Sequence, residues 1–257
     1  MTSIVTTENI SSLLEFKPDT LKPVGQDFIY NCCYLALGEE LGLFSCKFDP
    51  NKYQDGLFEK LAIQLIKEII PAVPKRKAEF LAGRFAAMKC LEYTGLLPFN
   101  GFQVVMGEHR SPVWPETVVG AISHNHSQAL AIVGNKSHFP HLGIDIEDIM
   151  TPELAQQIQT TIHSHQEGLI LWNAGLVPNI ATSLIYSAKE SIFKALYSYV
   201  GDYFGFEMAS VCEISVHDSI IRFSLAQSLQ QKVGKVSIEC RYLLAENRVI
   251  TLIFDSK

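Results

Sequence analysis

Two acidic residues, Asp145 and Glu147, stand two positions apart in the segment 142–147. This segment alternates acidic residues with Ile144 and Ile146, as a β-strand with two different faces does. Side chains two positions apart on a strand point to the same face, so both carboxylates share one face. Paired carboxylates repel each other unless water solvates them or a hard divalent cation such as Mg²⁺ binds both. The segment therefore has two interpretations, a solvated strand face and a metal site.

A further acidic residue of interest is Glu190, which precedes Lys194 by four residues in a segment with helical periodicity. Residues four apart share one helix face, and an ordinary Glu–Lys pair there contributes about 0.2 to 0.5 kcal/mol. The functional alternative is a third metal ligand beside a lysine that contacts phosphate. The spacing of these two residues alone favours the ordinary pair.

Basic residues concentrate on a predicted helix over residues 75–93. The pattern places five of them on the outer face of that helix: Lys75, Arg76, Lys77, Arg84 and Lys89. Arg76 and Arg84 are separated by about two helical turns, so their long side chains can converge on one region. The planar guanidinium group suits a phosphate dianion, although a basic helix face is more often simply solvated.

Histidines give a further set of candidates. His124 follows Ser123 at the end of a predicted strand, where it is either a structural residue or a donor to a ligand phosphate. A zinc site is the weaker alternative, because neither cysteines nor an HExxH pattern accompany the histidines concerned. These histidines are His124, His126, His163 and His165.

Composition limits the class of protein that can carry these residues. The chain has 257 residues, of which 47% are hydrophobic and 19% charged, with a formal net charge of −6. This composition excludes a disordered chain, and the acidic balance argues against general nucleic-acid binding. There is no apolar run of the length that spans a membrane, and the first twelve residues lack the pattern of a secretion signal. Six cysteines without a CxxC pair indicate reduced thiols, so we expect a cytoplasmic protein.

Periodicity and turn residues predict the elements that must position the candidates. Helices are predicted over residues 57–70, 75–93, 152–162 and 183–199. Strands are predicted over residues 102–106, 118–123, 129–133, 142–147, 211–216, 220–225, 236–244 and 249–254. Because the order of helices and strands is roughly echoed in the two halves, we predict an α+β fold with two similar-sized subdomains, 1–141 and 142–257.

Four segments in a fixed order, taken together, resemble one family. The segments are 75–84, 114–124, 143–147 and 187–195. They are similar to the 4′-phosphopantetheinyl transferases and, within that superfamily, to the enterobactin synthase component D (surfactin-type) subgroup. The resemblance covers about residues 70 to 200. Ala121 departs from it, because relatives often have serine there.

The resemblance implies a monomer of two pseudo-symmetric halves, with coenzyme A and Mg²⁺, or alternatively Mn²⁺, bound in a cleft between them. It implies Asp145, Glu147 and Glu190 as metal ligands. Glu190 is also the implied general base, and Lys194 the implied contact to the transferring phosphoryl group. Direct deprotonation by Glu190 and relay through a metal-bound water are both open.

The resemblance assigns nucleotide contacts to the first half. Arg76, Arg84 and His124 correspond to residues that hold the 3′-phosphate and adenosine of coenzyme A. Ser123 and Lys189 are implied as further ligand contacts, and Arg110 as another.

The implied activity is transfer of the 4′-phosphopantetheine arm of coenzyme A to a serine of an apo carrier protein, with release of adenosine 3′,5′-bisphosphate. The carrier is expected to be a peptidyl, aryl or acyl carrier domain of siderophore, nonribosomal peptide or polyketide biosynthesis. Two alternatives remain: a metal-dependent pyrophosphohydrolase acting on coenzyme A or a nucleotide, and a non-catalytic protein that binds coenzyme A or a carrier. Because the chain is acidic overall, we expect a carrier to dock on a local, largely apolar patch.

Overall fold

The computed structural model describes residues 23–25, 27–97, 102–245 and 247–255. The chain divides between Pro140 and His141 into two compact units, one residue before the boundary expected from the sequence. Each unit combines helices with an antiparallel sheet, so the predicted α+β class is confirmed.

The first unit contains one long helix and a four-stranded sheet. Its elements are β1 (Ile29–Gly38), β2 (Leu41–Phe48), α1 (Leu57–Lys60), α2 (Pro74–Thr94), β3 (Val105–Met106), β4 (Pro112–Val113), β5 (Val118–His124) and β6 (Gln128–Asn135). The sheet order is β1-β2-β6-β5, with every neighbouring pair antiparallel, and α2 packs on β2 and β6. The short strands β3 and β4 pair separately, so the predicted strand over 102–106 is reduced to two residues.

Helix α2 forms where the sequence predicts it. Pro74 occupies the first turn, where a missing N–H costs nothing, and Gly95 ends the helix in the left-handed conformation at φ 64°. The predicted apolar stripe, which includes Phe80 and Phe85, is buried in the core of the unit. The helix is therefore a rigid platform for the side chains that it carries toward β5.

The predicted helix over residues 57–70 is wrong, because α1 ends at Lys60. Ala62 adopts φ 55°, and the N–H of Ile63 donates to the carbonyl of Phe58 at 2.9 Å, which closes the helix in a Schellman-type turn. The side-chain amide of Gln103 then donates to the carbonyl of Ala62 at 2.6 Å. Several apolar residues of the segment are still buried, so its pattern reports burial rather than helix.

The second unit places a long helix on a five-stranded sheet. Its elements are β7 (Leu142–Asp148), α3 (Pro152–Ile162), α4 (His165–Asn173), α5 (Pro178–Val200), β8 (Ala209–Ser215), β9 (Ile220–Leu225), α6 (Gln227–Val233), β10 (Ser237–Ala245) and β11 (Arg248–Phe254). The sheet order is β7-β11-β10-β9-β8, again antiparallel throughout. The predicted helix over 152–162 is confirmed, whereas α5 begins five residues before the predicted 183. Neither α4 nor α6 was expected from periodicity.

In the part of the chain that the structure describes, none of the single helices is both long and apolar enough to cross a membrane. Helices α4 and α5, bent by 116° relative to each other, pass that test of length and composition only as a pair.

Candidate active site

Helix α5 lies in direct contact with β7, the strand that carries the acidic pair. A Cβ atom at Gly143 would collide with the backbone carbonyl oxygen of Ser191 and would lie 3.1 Å from the Cβ of Ala195. Glycine is therefore required on this strand by the close approach of the helix rather than by its own backbone angles. The small residues allow α5 to cover the face of β7 that the sequence assigns to the carboxylates.

A buried hydroxyl network fixes the position of α5 along the sheet. Thr251 on β11 pairs with Asp145 of the neighbouring strand. The Thr251 hydroxyl lies 2.9 Å from that of Ser187 and 2.7 Å from that of Ser191, and all three side chains are buried. Since buried hydroxyls that lose their partners are costly, this network resists sliding of the helix. It keeps the turn that carries Glu190 above the acidic strand.

The carboxylate of Asp145 is buried and faces a lysine of the helix. Only 2% of Asp145 is exposed, and its Oδ1 accepts a hydrogen bond from Nζ of Lys194 at 2.7 Å. The same ammonium also donates to the carbonyl of Ile144 at 3.2 Å. Lys194 therefore binds across to the strand, and the acidic face of β7 is covered by protein instead of water.

The other two carboxylates titrate abnormally because of burial and of one another. Burial and, to a smaller extent, the charge of Asp145 raise the pKa of Glu147 to about 8 against the opposing effect of Lys194. Burial also raises the pKa of Glu190, which Lys194 opposes and Asp145 reinforces. The three acidic residues and the lysine thus form one electrostatic group, which we call the carboxylate group.

The carboxylate oxygens of this group are the type of ligand that a hard cation prefers, although the three side chains do not surround a common point. Among residues 23–25, 27–97, 102–245 and 247–255, no three His, Cys, Asp or Glu side chains are close enough to hold a metal ion, and this holds for the zinc alternative as well. The charge of Asp145 contributes to the raised pKa of Glu147 and of Glu190, and a divalent cation, which prefers oxygen ligands, would offset this repulsion. The residues therefore suit Mg²⁺ better than a softer metal.

Tyr186 borders the carboxylate group and was not singled out from the sequence. It precedes Glu190 by four residues on α5, and its ring meets the edge of Phe206 at a centroid distance of 5.7 Å. Burial raises the pKa of Tyr186, and the charges of Glu190 and Glu147 raise it further, so the phenol stays neutral beside them. The spacing of four from Glu190 is the signal by which it could have been found.

A cavity of about 60 Å³ with a largely aromatic lining adjoins Glu190. Phe193 lines it, and its ring centroid lies 5.3 and 5.1 Å from those of Tyr203 and Phe204. Tyr203 is 71% exposed, so the aromatic surface continues to the outside of the unit. A largely apolar patch therefore lies next to the carboxylate group.

The basic candidates of the first unit form a separate group. Nη1 of Arg76 lies 3.1 Å from Nε2 of His124 and 3.4 Å from a carboxylate oxygen of Glu79. Burial, together with the charge of Arg76, lowers the pKa of Arg84 to about 10, so the two guanidinium groups are within electrostatic reach. We call Arg76, Arg84 and His124 the cationic group.

The expected outer-face position of Arg84 is wrong. Arg84 is only 8% exposed, and its guanidinium lies 4.7 Å from the ring centroid of Phe80, which precedes it by one helical turn. Its Nε is buried without a hydrogen-bond partner among the described residues. A buried cation with an unused donor is suited to an anionic ligand.

The cationic group does not include the other predicted ligand contacts. A Cβ atom on Gly83 of α2 would lie 3.1 Å from Cγ2 of Ile122 and 4.0 Å from Cδ2 of His124, so this face of β5 meets the helix. Strand alternation puts Ser123 on the opposite face. Arg110 lies in an exposed turn, Glu108–Arg110, with φ 64°. Of the nucleotide contacts predicted in the first unit, the structure thus brings together Arg76, Arg84 and His124.

Lys189, the remaining predicted ligand contact, has protein partners. Its ammonium lies 2.7 Å from Oε1 of Glu167 and donates to the carbonyl of Ile162 at 2.9 Å. The side chain of Lys189 is 3% exposed. Sequence reasoning missed Glu167, since no local spacing connects it with Lys189.

Comparison with known proteins gives a consistent result. One family model, described as the 4′-phosphopantetheinyl transferase N-terminal domain, matches residues 65–134, and a second, the 4′-phosphopantetheinyl transferase superfamily, matches residues 141–253. The chain is 35% identical over 180 residues to enterobactin synthase component D of Salmonella typhimurium, which covers 70% of this chain and 72% of the relative. It is 43% identical over 152 residues to the protein of that name from Escherichia coli K12, covering 58% and 68%. It is 29% identical over 143 residues to the 4′-phosphopantetheinyl transferase Npt of Nocardia iowensis, covering 56% and 62%.

Proposed function

The chain belongs to the 4′-phosphopantetheinyl transferase superfamily, and from this we infer that it transfers the 4′-phosphopantetheine arm of coenzyme A to a serine of an apo carrier protein. The observation that supports a role for particular residues is the carboxylate group, in which buried Asp145 pairs with Lys194 beside Glu147 and Glu190. We assign the chemistry to this group.

The reaction explains why such residues are needed. The serine oxygen forms a bond to the β-phosphorus of coenzyme A, and the bond between this phosphorus and the bridging oxygen of the pyrophosphate breaks. Adenosine 3′,5′-bisphosphate leaves with the bridging oxygen. Negative charge increases on the phosphate oxygens, so a fixed positive charge lowers the barrier. Lys194, oriented by Asp145 and the carbonyl of Ile144, supplies that charge next to the acidic strand.

Glu190 accepts the serine proton in this proposal. Burial raises its pKa, which makes its carboxylate a stronger base than that of an exposed glutamate. Tyr186, neutral and one turn away on the same helix, completes the surroundings of the base. The cavity next to Glu190 is lined largely by aromatic side chains.

Asp145, Glu147 and Glu190 would hold Mg²⁺, or alternatively Mn²⁺. The bound cation would supply neutralisation of charge on the phosphates. The support for this assignment is that buried Asp145 lies within electrostatic reach of Glu147 and Glu190, so that three oxygen donors of like charge share one region.

We assign phosphate binding at the nucleotide end of coenzyme A to the cationic group. Arg84 offers a buried Nε that has no hydrogen-bond acceptor among the described residues, and Arg76 lies beside His124. An anion at this Nε would gain a charge-assisted hydrogen bond. Ser123 and Arg110 lie outside the cationic group, and the ligand contacts that the resemblance implies for them stay predictions.

The carrier is proposed to belong to siderophore or nonribosomal peptide assembly, because the similar proteins include enterobactin synthase components. We further propose that the carrier docks on the exposed aromatic surface around Tyr203, since this patch adjoins Glu190. A monomer acting in the cytoplasm remains our proposal from the sequence, as do carriers of polyketide assembly.

Mass spectrometry of an apo carrier domain tests the function. The chain, coenzyme A and Mg²⁺ are incubated with a panel of apo peptidyl, aryl and acyl carrier domains, and we expect a gain of one phosphopantetheine arm on at least one of them. Cleavage of coenzyme A without a carrier would instead indicate a pyrophosphohydrolase. Binding of coenzyme A without any turnover would indicate a non-catalytic protein.

A further inference from the structure

A buried ion pair in the second unit has no part in the mechanism described above. Glu167 at the start of α4 and Lys189 on α5 have side chains that are 8% and 3% exposed, and their charged atoms are 2.7 Å apart. Burying two charges is costly unless both have further hydrogen bonds, so such a pair is expected only where it has many partners. Both residues meet that condition.

Glu167 joins three parts of the unit. Its Oε2 accepts a hydrogen bond from the N–H of Ser164 at 2.8 Å, within a capping box that begins α4. Its Oε1 accepts from the N–H of Val211 on β8 at 3.1 Å and also binds Lys189. The carboxylate is therefore held at a defined place by the backbone, independently of α5.

Lys189 connects this fixed point to the residue next to it, Glu190. Its ammonium also donates to the carbonyl of Ile162 at the end of α3, at 2.9 Å. The lysine is thus attached to both α3 and α4, and its own backbone is continuous with that of the general base.

The direction of this attachment determines what it can do. With about 100° of rotation per residue, Ser187 and Ser191 lie within about 40° of each other on the helix, and Lys189 lies on nearly the opposite side. The serines attach α5 to Thr251, so the helix is fixed from one side by hydroxyls and from the other by the ion pair. Glu190 lies between the two attachments. Loss of either one would remove one of the constraints on the rotation of the helix.

We propose that Glu167 is a positioning residue for phosphopantetheine transfer, which acts through Lys189 to fix the rotation of α5 and hence the place of the Glu190 carboxylate. The inference rests on the proposed function of Glu190. It replaces a direct ligand contact of Lys189 by an indirect role. It also separates the two uses of lysine on this helix, because Lys194 faces the strand and Lys189 faces α3 and α4.

The two roles of Lys189 predict different kinetics. A positioning residue affects the chemical step, so its loss lowers kcat and leaves the KM for coenzyme A and for the carrier nearly unchanged. A residue that binds the substrate directly instead raises the KM for coenzyme A when it is removed. The positioning role further predicts that loss of the Glu167 charge lowers kcat and leaves both KM values nearly unchanged, as loss of Lys189 does.

The test uses the full chain and measures kcat, both KM values and thermal unfolding for Glu167→Gln, Lys189→Met and Lys189→Arg. We expect Glu167→Gln and Lys189→Met each to lower kcat by about tenfold to a hundredfold, as misplacement of a catalytic group does. Both KM values should change by less than about twofold. Lys189→Arg keeps a cation within reach of Glu167 and should recover most of kcat.

Two further variants separate positioning from folding. The double variant Glu167→Gln/Lys189→Gln leaves neither charge buried alone, so its unfolding temperature should be close to that of the wild type. Its kcat should still be reduced, but no lower than that of the slower single variant. Ser183→Ala removes another buried hydroxyl of α5, which binds the N–H of Met150 at 2.9 Å, and should lower the unfolding temperature without changing kcat.

The outcomes are distinguishable. A wild-type chain that transfers nothing would overturn the proposed function itself. If the wild type is active, unchanged kcat in Glu167→Gln and in the double variant would overturn the positioning role. A KM for coenzyme A raised more than tenfold by Lys189→Met alone would likewise overturn it, in favour of a ligand contact.

Discussion

The cationic group of the first unit and the carboxylate group of the second are built in the same way and carry opposite charge. In each unit a long helix packs on an antiparallel sheet, and a glycine marks its close approach: Gly83 on helix α2 and Gly143 on strand β7. In the first unit Arg76 contacts both His124 and the carboxylate of Glu79, and its charge acts on Arg84. In the second, the buried carboxylate of Asp145 binds Lys194, and both charges act on Glu147 and Glu190.

The difference lies in which charge is left in excess. Like charges held together in a buried place destabilise the protein, and a ligand of the opposite sign reverses that cost. The first unit thus suits an anion and the second a cation. The net charge of −6 therefore does not decide which ligand either local group suits.

Among substitutions that leave Glu190 in place, the largest effect is expected from Asp145→Asn. This change removes the buried partner of Lys194 and one carboxylate of the second unit, and transfer should fall by on the order of 10² to 10³-fold, as loss of a preorganised electrostatic group does. The rate is measured by the mass of the carrier. Glu213→Gln, which removes one charge from an exposed ion pair with Arg222, is the control and should be neutral. Equal activity of Asp145→Asn and the wild type would separate the carboxylate group from catalysis.

Replacement of either glycine disturbs the close approach of helix and strand in one unit at a time. Gly143→Ala puts a methyl group against the backbone of Ser191 and should destabilise the protein by about 1 to 3 kcal/mol, with loss of activity as α5 shifts. Gly83→Ala meets only a methyl group of Ile122 at 3.1 Å, which can move, and should cost less. Chemical unfolding of both variants measures the difference. A Gly83 variant less stable than the Gly143 variant would contradict the geometry.

Arg84→Met tests whether the cationic group binds coenzyme A. The change removes a buried cation whose pKa burial lowers to about 10, so the ligand-free protein should lose no stability. The KM for coenzyme A should rise by roughly tenfold or more, since a hydrogen bond to a charged group contributes about 1.5 to 3 kcal/mol. Lys89→Met, a change on the same helix beside Phe85, is the control. An unchanged KM for Arg84→Met would exclude this residue from the binding site.

The smallest effect is expected in the pH dependence of stability. Folding raises the pKa of Glu147 to about 8, so between its ordinary value and pH 8 the folded state binds more protons than the unfolded one. Stability without metal should therefore fall as the pH rises through this window and level off above it. Mg²⁺ should flatten the slope, because a cation favours the ionised form. Thermal unfolding at several pH values checks this, and a slope of the opposite sign would contradict the burial of Glu147.

Much of the second unit could be predicted from the sequence, because short-range patterns determine it. Alternation in the strand puts Asp145 and Glu147 on one face, and a helical spacing of four relates Glu190 to Lys194. The pattern does not predict that α5 covers that face of the strand. The approach of α5 depends on Gly143 meeting Ser191, which lies almost fifty residues away, and no local rule contains such a contact.

The errors have the same origin. Arg84 was expected on the solvated face because arginine is usually exposed, whereas its spacing from Phe80 places it on the buried one. The apolar pattern over 57–70 describes burial correctly, but the left-handed turn at Ala62 ends the helix early. Glu167 escaped notice because it meets Lys189 only after α4 and α5 have packed in the fold.

The most direct test of the account is a single-turnover measurement of Glu190→Gln. With saturating coenzyme A and an apo carrier, the mass of the carrier is followed over time for the wild type, Glu190→Gln and the control Glu213→Gln. We predict that Glu190→Gln transfers the arm on the order of 10² to 10⁴-fold more slowly, as loss of a general base implies, while Glu213→Gln matches the wild type. Transfer by Glu190→Gln at the rate of the wild type would contradict the assignment of catalysis to the carboxylate group.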